Sequence, residues 1–88
     1  MRGRVDDSSD ASTIDRILEE MKRHFASEKI NTIDGVKIDF EATRQWVHLR
    51  KSNTEPIIRV YSEAPTEEQA VKLGNEVVAL AYSIMQQS

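Results

Sequence analysis

Two arginines and three small polar residues lie within one short segment and have the chemistry of an anion site. Arg50 and Arg59 bracket the run Ser52, Asn53 and Thr54 in the segment RKSNTEPIIR. Guanidinium groups stay charged at physiological pH and offer planar pairs of N–H donors that match the oxygens of a phosphate. The hydroxyl and amide side chains add further donors, and short residues allow backbone N–H groups to turn toward an anion. The segment therefore predicts a site for a phosphate group.

The same segment also has a plainer interpretation. A Ser-Asn-Thr run between strands is common in ordinary turns, and arginines on strands often only extend into solvent. Lys51 is interpreted as a solvated cation rather than a ligand. Glu55 would repel a phosphate, so we expect its carboxylate to turn away and to accept hydrogen bonds from the loop backbone or pair with a neighbouring arginine. Pro56 restricts the backbone at the end of the loop by fixing its own φ. The residue types alone leave both interpretations open.

Two amphipathic helices are predicted from apolar residues that recur at helical spacing. The first should run from about 12 to 26, and the second should cover about 20 residues after Pro65. Thr66 and Gln69 form a capping-box pattern at the start of the second helix. The positive end of the helix dipole stabilises the negative charges of Glu67 and Glu68 there. The apolar faces consist of Ile14, Ile17, Leu18, Met21 and Phe25 in the first helix and Ala70, Leu73, Val77, Leu80 and Ile84 in the second.

Four antiparallel strands are predicted between the helices. They comprise residues 30–33, 36–40, 45–50 and 57–63. Asp34 and Gly35 are typical of a two-residue hairpin turn between the first two strands. Alternation of apolar and polar side chains in the last two strands places Arg50 and Arg59 on one face of the sheet. Two helices and a sheet with one apolar face each are expected to pack as a two-layer α+β sandwich.

The composition limits the class of protein. The chain has 88 residues, enough for one small domain. Its formal net charge is −3, so an anion site must be local, and nucleic acid is not expected as a partner. The sequence contains no cysteine and no apolar stretch near the ~20 residues of a membrane span, so we expect no membrane contact and a cytoplasmic location. Residues 1–11 are polar and are predicted to be a flexible leader or a truncated strand before the domain at 12–88.

The arginine loop and its flanks resemble a known family. Residues 50–61, RKSNTEPIIRVY, are similar to the R-x-S-N-T-E-P-x-x-R signature of the C-terminal domain of the alpha-D-phosphohexomutases, the phosphoglucomutase/phosphomannomutase family. Residues 31–40 and 64–68 match the strand turn and the last helix on either side, so the resemblance covers roughly 12 to 85. It implies a four-stranded antiparallel sheet with two helices packed on one face, in the manner of the TATA-box-binding protein.

The resemblance also implies a function. Carried over by position, the residues that would contact the phosphate of a phosphosugar are Arg50, Ser52, Asn53, Thr54 and Arg59. The family's phosphorylated serine and its aspartate-rich magnesium loop belong to other parts of a longer chain. This segment is therefore expected to bind without catalysing and to hold no catalytic residue, metal or cofactor. The implied partners are a hexose phosphate and the remaining domains of a parent mutase, which would hold Mg²⁺ and interconvert hexose 1-phosphate and hexose 6-phosphate.

Some alternatives stay open at this point. A stand-alone domain that senses a phosphorylated metabolite, or binds a protein, would use the same loop without chemistry. An RNA-binding domain could present sheet aromatics to bases, but the acidic balance and the lack of a broad basic face argue against it. Asn53 resembles the phosphoglucomutase/phosphomannomutase form of the loop, whereas phosphoglucosamine mutases more often have glycine. His48 shares the face of Arg50 without a carboxylate at a recognisable spacing, and is interpreted as an ordinary strand histidine.

Overall fold

The computed structural model describes residues 1–6, 11–52 and 57–86. Within these residues the elements are β1 (Arg2–Asp6), α1 (Ala11–His24), β2 (Lys29–Asn31), β3 (Val36–Phe40), a 3-10 helix (Glu41–Thr43), β4 (Gln45–Lys51), β5 (Ile57–Glu63) and α2 (Glu67–Gln86). The strands form one antiparallel sheet in the order β1-β5-β4-β3-β2. Both helices contribute to one core with the sheet, so the predicted two-layer α+β arrangement is confirmed.

The prediction of four strands is wrong by one strand. β1 pairs with β5 along its whole length, and Val5 lies opposite Ile58. Val5 is fully buried, and α2 packs against β1. β1 contains a single large apolar residue, Val5. The alternation of apolar and polar side chains that predicts the other strands is therefore missing there.

The core lies between the sheet and the two helices. Burial of an aliphatic side chain contributes about 1.5–3 kcal/mol relative to its exposure. The side chains with at most 1 % exposure include Ile14, Ile17 and Met21 from α1, Val77 and Ala81 from α2, and Val5, Ile38, Val47, Leu49, Ile58 and Val60 from the sheet. The predicted apolar faces of both helices are thus confirmed, and so is the inward face of β4 and β5.

The helix limits agree with the sequence prediction to within two residues. α1 covers Ala11–His24, and α2 covers the 20 residues Glu67–Gln86. The backbone N–H of Gln69 donates to Thr66 Oγ1 at 3.2 Å, which confirms the predicted N-terminal cap. Neither of the two described helices is both long enough and apolar enough to cross a bilayer.

Gly74 allows α2 to approach the sheet closely. A Cβ atom at this position would lie 2.9 Å from Ser62 Oγ on β5. Ser62 is buried, and its hydroxyl donates to the backbone oxygen of Ala70 at 2.7 Å. Glycine inside a helix costs about 1 kcal/mol relative to alanine. The close helix–sheet contact, with its satisfied polar group, offsets that cost.

The β2–β3 hairpin has a longer turn than the two-residue turn that was predicted. β2 ends at Asn31, which lies opposite Lys37. Asn31 Oδ1 accepts a hydrogen bond from the backbone N–H of Ile33 at 2.9 Å. This local contact competes with strand pairing and ends β2, leaving Ile33 92 % exposed. Gly35 has a φ of 76°, a left-handed conformation that favours glycine.

Candidate anion-binding site

β4 and β5 bring Arg50 and Arg59 side by side. The two residues are direct partners in the antiparallel register. Their neighbours Leu49, Ile58 and Val60 face the core. Both arginines therefore project from the opposite face of the sheet, which the two helices do not cover and which is called the open face below. Cα atoms of such partners lie about 4.5–5.5 Å apart, which allows one phosphate group to contact both guanidinium groups. The prediction that the two arginines share a face is confirmed.

The turn between β4 and β5 begins next to this pair. The backbone N–H of Ser52 donates to the backbone oxygen of Ile57 at 3.1 Å, which closes the base of the turn. Ser52 therefore lies one residue beyond β4, whereas the predicted strand ended at residue 50. Residues 53–56, which include the predicted site residues Asn53 and Thr54, lie outside the described part of the chain, and their roles stay predictions.

The two arginines differ in their charge partners. Arg59 is exposed and has no carboxylate within ion-pair distance among the described residues. Arg50 Nη2 lies 3.3 Å from Asp34 Oδ2, with 49 % and 65 % of the two side chains exposed. So exposed a pair contributes at most about 1 kcal/mol. Arg50 is therefore available to an anion of higher charge.

The tip of the β2–β3 hairpin is also tied to β4 through a histidine. His48 Nε2 donates to the backbone oxygen of Asp34. Because Asp34 contacts both His48 and Arg50, the hairpin tip fixes one side of the anion site. His48 thus has a structural contact, in keeping with its exclusion from the predicted site.

Lys51 lies on the other side of the sheet from the arginine pair. Its Nζ atom is 3.4 Å from Asp15 Oδ1 on α1. The two side chains are 43 % and 64 % exposed, so water screens this pair strongly. Lys51 therefore contributes little to the open face.

β1 adds two cations to the open face that the sequence analysis did not assign to it. Arg4 lies opposite Arg59 and Arg2 lies opposite Tyr61, and both arginines are exposed. Lys37 on β3 lies on the same face, opposite His48. The described residues of the open face therefore include a local cluster of cations, although the whole chain has a net charge of −3.

The basic part of the open face borders a cross-strand row that contains an aromatic side chain and two carboxylates. In that row, Trp46 lies opposite Asp39 on one side and Glu63 on the other. Lys37 Nζ lies 4.9 Å from the centre of the Trp46 ring, within the range of a cation–π contact. The positive charge is thus concentrated toward the β4–β5 turn.

A metal site was not expected in this domain. Within residues 1–6, 11–52 and 57–86, no group of three or more His, Cys, Asp or Glu side chains could hold a metal ion.

Comparison with known proteins supports an assignment to a family. Residues 1–80 match the family model described as phosphoglucomutase/phosphomannomutase, C-terminal domain. A probable phosphoglucosamine mutase from Pyrococcus horikoshii is 39 % identical over 72 residues, which cover 82 % of this chain and 16 % of that protein. A phosphopentomutase from Thermococcus kodakarensis is 38 % identical over 79 residues, covering 88 % of this chain and 16 % of that protein.

A third relative, a phosphoglucomutase/phosphomannomutase also from Thermococcus kodakarensis, is 57 % identical over 42 residues, covering 48 % of this chain and 9 % of that protein. The chain thus spans at most 16 % of the length of these curated relatives. Their names differ in the sugar, so the subfamily indicated by Asn53 stays a prediction. Because the family match covers residues 1–80 of the 88, the chain belongs to the family of phosphoglucomutase/phosphomannomutase C-terminal domains.

Proposed function

We propose that this chain binds the phosphate group of a phosphosugar on the open face of its sheet. The observation that carries the proposal is the direct cross-strand pairing of Arg50 with Arg59 beside the β4–β5 turn. Like charges directly opposite each other on a sheet destabilise the fold. A bound anion removes that repulsion and receives charge-assisted hydrogen bonds from both side chains.

The proposed contacts divide into two groups. Arg50 and Arg59 would each offer a planar pair of N–H donors to the phosphate oxygens. The second group, Ser52, Asn53 and Thr54, would add hydroxyl and amide donors from the turn. Support for the first group comes from the strand register, and support for the second comes from the family to which the chain belongs.

Within a parent phosphohexomutase, this domain would hold the phosphate that is not being transferred. The remaining domains would supply the phosphorylated serine and the Mg²⁺ ion that the family resemblance implies, and no residue of this chain is assigned to either. The domain would contribute binding and orientation, so that the reacting end of the sugar is held in position. A site that contacts only phosphate would accept it at either end of a hexose, as the interconversion of hexose 1-phosphate and hexose 6-phosphate requires. The chain alone is therefore expected to bind without turnover.

Titration of a hexose 6-phosphate into ¹⁵N-labelled protein tests the proposal. We expect amide signals from residues 50–55 and around Arg59 to shift, with a Kd of about 1 mM or weaker because the other subsites are missing. The same hexose without its phosphate is the control and should leave those signals unchanged. Equal shifts from the phosphorylated and the unphosphorylated sugar would contradict a phosphate site.

A further inference from the structure

We infer that Arg4 completes a row of three guanidinium groups, and that this row takes an anion of the diphosphate class, wider than one phosphate group. Arg4 lies opposite Arg59 across β1 and β5, and Arg59 lies opposite Arg50 across β5 and β4. The three arginines therefore form one line that crosses three adjacent strands. The inference rests on the function proposed for Arg50 and Arg59 and extends their site onto β1.

The width of the row sets the size of the anion. Neighbouring strands lie about 4.8 Å apart, so the backbones of Arg4 and Arg50 are about 10 Å apart. Side chains on a sheet stand roughly perpendicular to it, so the guanidinium groups keep much of that spacing. One phosphate group can lie between two neighbouring arginines of the row and offset their repulsion. Two linked phosphate groups can lie between both neighbouring pairs at the same time.

The charges around the row favour an anion that spans it. Arg59 has a cation on each side and no carboxylate within ion-pair distance among the described residues. Asp34 pairs with Arg50 at one end of the row. Arg2 lies two positions from Arg4 on the same face and raises the positive potential near the other end. The middle of the row is therefore where further negative charge is most strongly attracted.

The test compares orthophosphate with inorganic pyrophosphate at fixed pH and ionic strength. We expect the unmodified protein to bind pyrophosphate at least about tenfold more tightly, the effect of an added charge-assisted pair. The substitution Arg4→Gln should remove most of that advantage and change the orthophosphate Kd by no more than about twofold. Arg4→Lys keeps the charge but loses the planar fork, and should give an intermediate advantage.

Arg23→Gln is the matched control, because Arg23 lies on α1, outside the sheet, with 79 % of its side chain exposed. It removes the same charge and should change both Kd values by less than about twofold. A third anion, uridine diphosphate, identifies the source of the diphosphate. Binding as tight as that of pyrophosphate indicates an esterified diphosphate, and much weaker binding indicates free pyrophosphate.

Two results would overturn the inference without touching the proposed function. One is a pyrophosphate advantage that survives Arg4→Gln. The other is an equal weakening of both anions by Arg4→Gln, which would make Arg4 part of a single-phosphate site. By contrast, orthophosphate binding that is absent, or insensitive to Arg50→Ala, would contradict the proposed function itself. Thermal unfolding of each variant shows whether it keeps the fold. If Arg4→Gln does not fold, the Kd values of Arg4→Lys decide the outcome.

Discussion

Replacing Arg59 with alanine is expected to weaken the binding of a hexose 6-phosphate at least about tenfold, which takes a millimolar Kd beyond detection. Arg59 has no carboxylate partner among the described residues, so its guanidinium group loses no structural ion pair there when it is removed. The substitution should therefore weaken binding without lowering the stability of the fold. Arg50→Ala should have a similar effect on binding, because the two side chains face the same anion. Kd values from NMR titration and midpoints from thermal unfolding measure the two effects separately.

Lys51→Ala is the matched control for these variants. Lys51 adjoins Arg50 in sequence and carries the same charge, but it pairs with Asp15 on the helix side of the sheet. We expect its removal to change the Kd by less than about twofold. If Lys51→Ala weakened binding as much as Arg59→Ala, the attraction would be a property of overall charge and not of a defined site.

Gly35→Ala is expected to destabilise the fold by about 3 kcal/mol. A Cβ atom at this position would lie 2.3 Å from the backbone oxygen of Leu49, and the φ of 76° disfavours any L side chain. Since both atoms in this clash are held by backbone, β3 and β4 would have to separate. Urea unfolding measures the free-energy change. The remaining folded protein should also bind phosphate more weakly, because Arg50 follows Leu49 directly.

Gly3→Ala serves as the control for the glycine substitution. The nearest atom to a Cβ at Gly3 is Met1 Cε at 3.1 Å, the end of a flexible side chain. We expect the free energy of unfolding to change by less than about 1 kcal/mol. Equal stability of Gly35→Ala and the unmodified protein would show that the hairpin does not approach Leu49 as described.

Much of the fold could be predicted because its signals are local. The apolar spacing in α1 and α2 and the alternation in β4 and β5 each follow from a repeat within one element. The position of Arg50 and Arg59 on one face follows from the same alternation, since a strand turns every second side chain to the same side. These features needed no knowledge of how distant segments meet.

Some features could not be predicted because they depend on contacts between distant residues. Another depends on a side chain that bonds to the backbone of its own loop and so competes with strand pairing. β1 has one large apolar residue, Val5, and its pairing with Ile58 joins segments that no local repeat connects. Arg4 enters the candidate site only through that register. The ion pair of Asp34 with Arg50 likewise depends on how β3 returns along β4. The longer hairpin turn results from the side chain of Asn31, which bonds to the backbone of its own loop.

In the proposed site, the guanidinium groups of Arg50 and Arg59 hold one phosphate together. The side-chain Nε–Hε signals of arginine, followed by NMR while a hexose 6-phosphate is added, report on this directly. We expect the signals of Arg50 and Arg59 to shift along one shared binding curve, while the signal of Arg23 on α1 stays in place. Saturation of the protein with the phosphosugar without a change at Arg50 and Arg59 would rule out the proposed site.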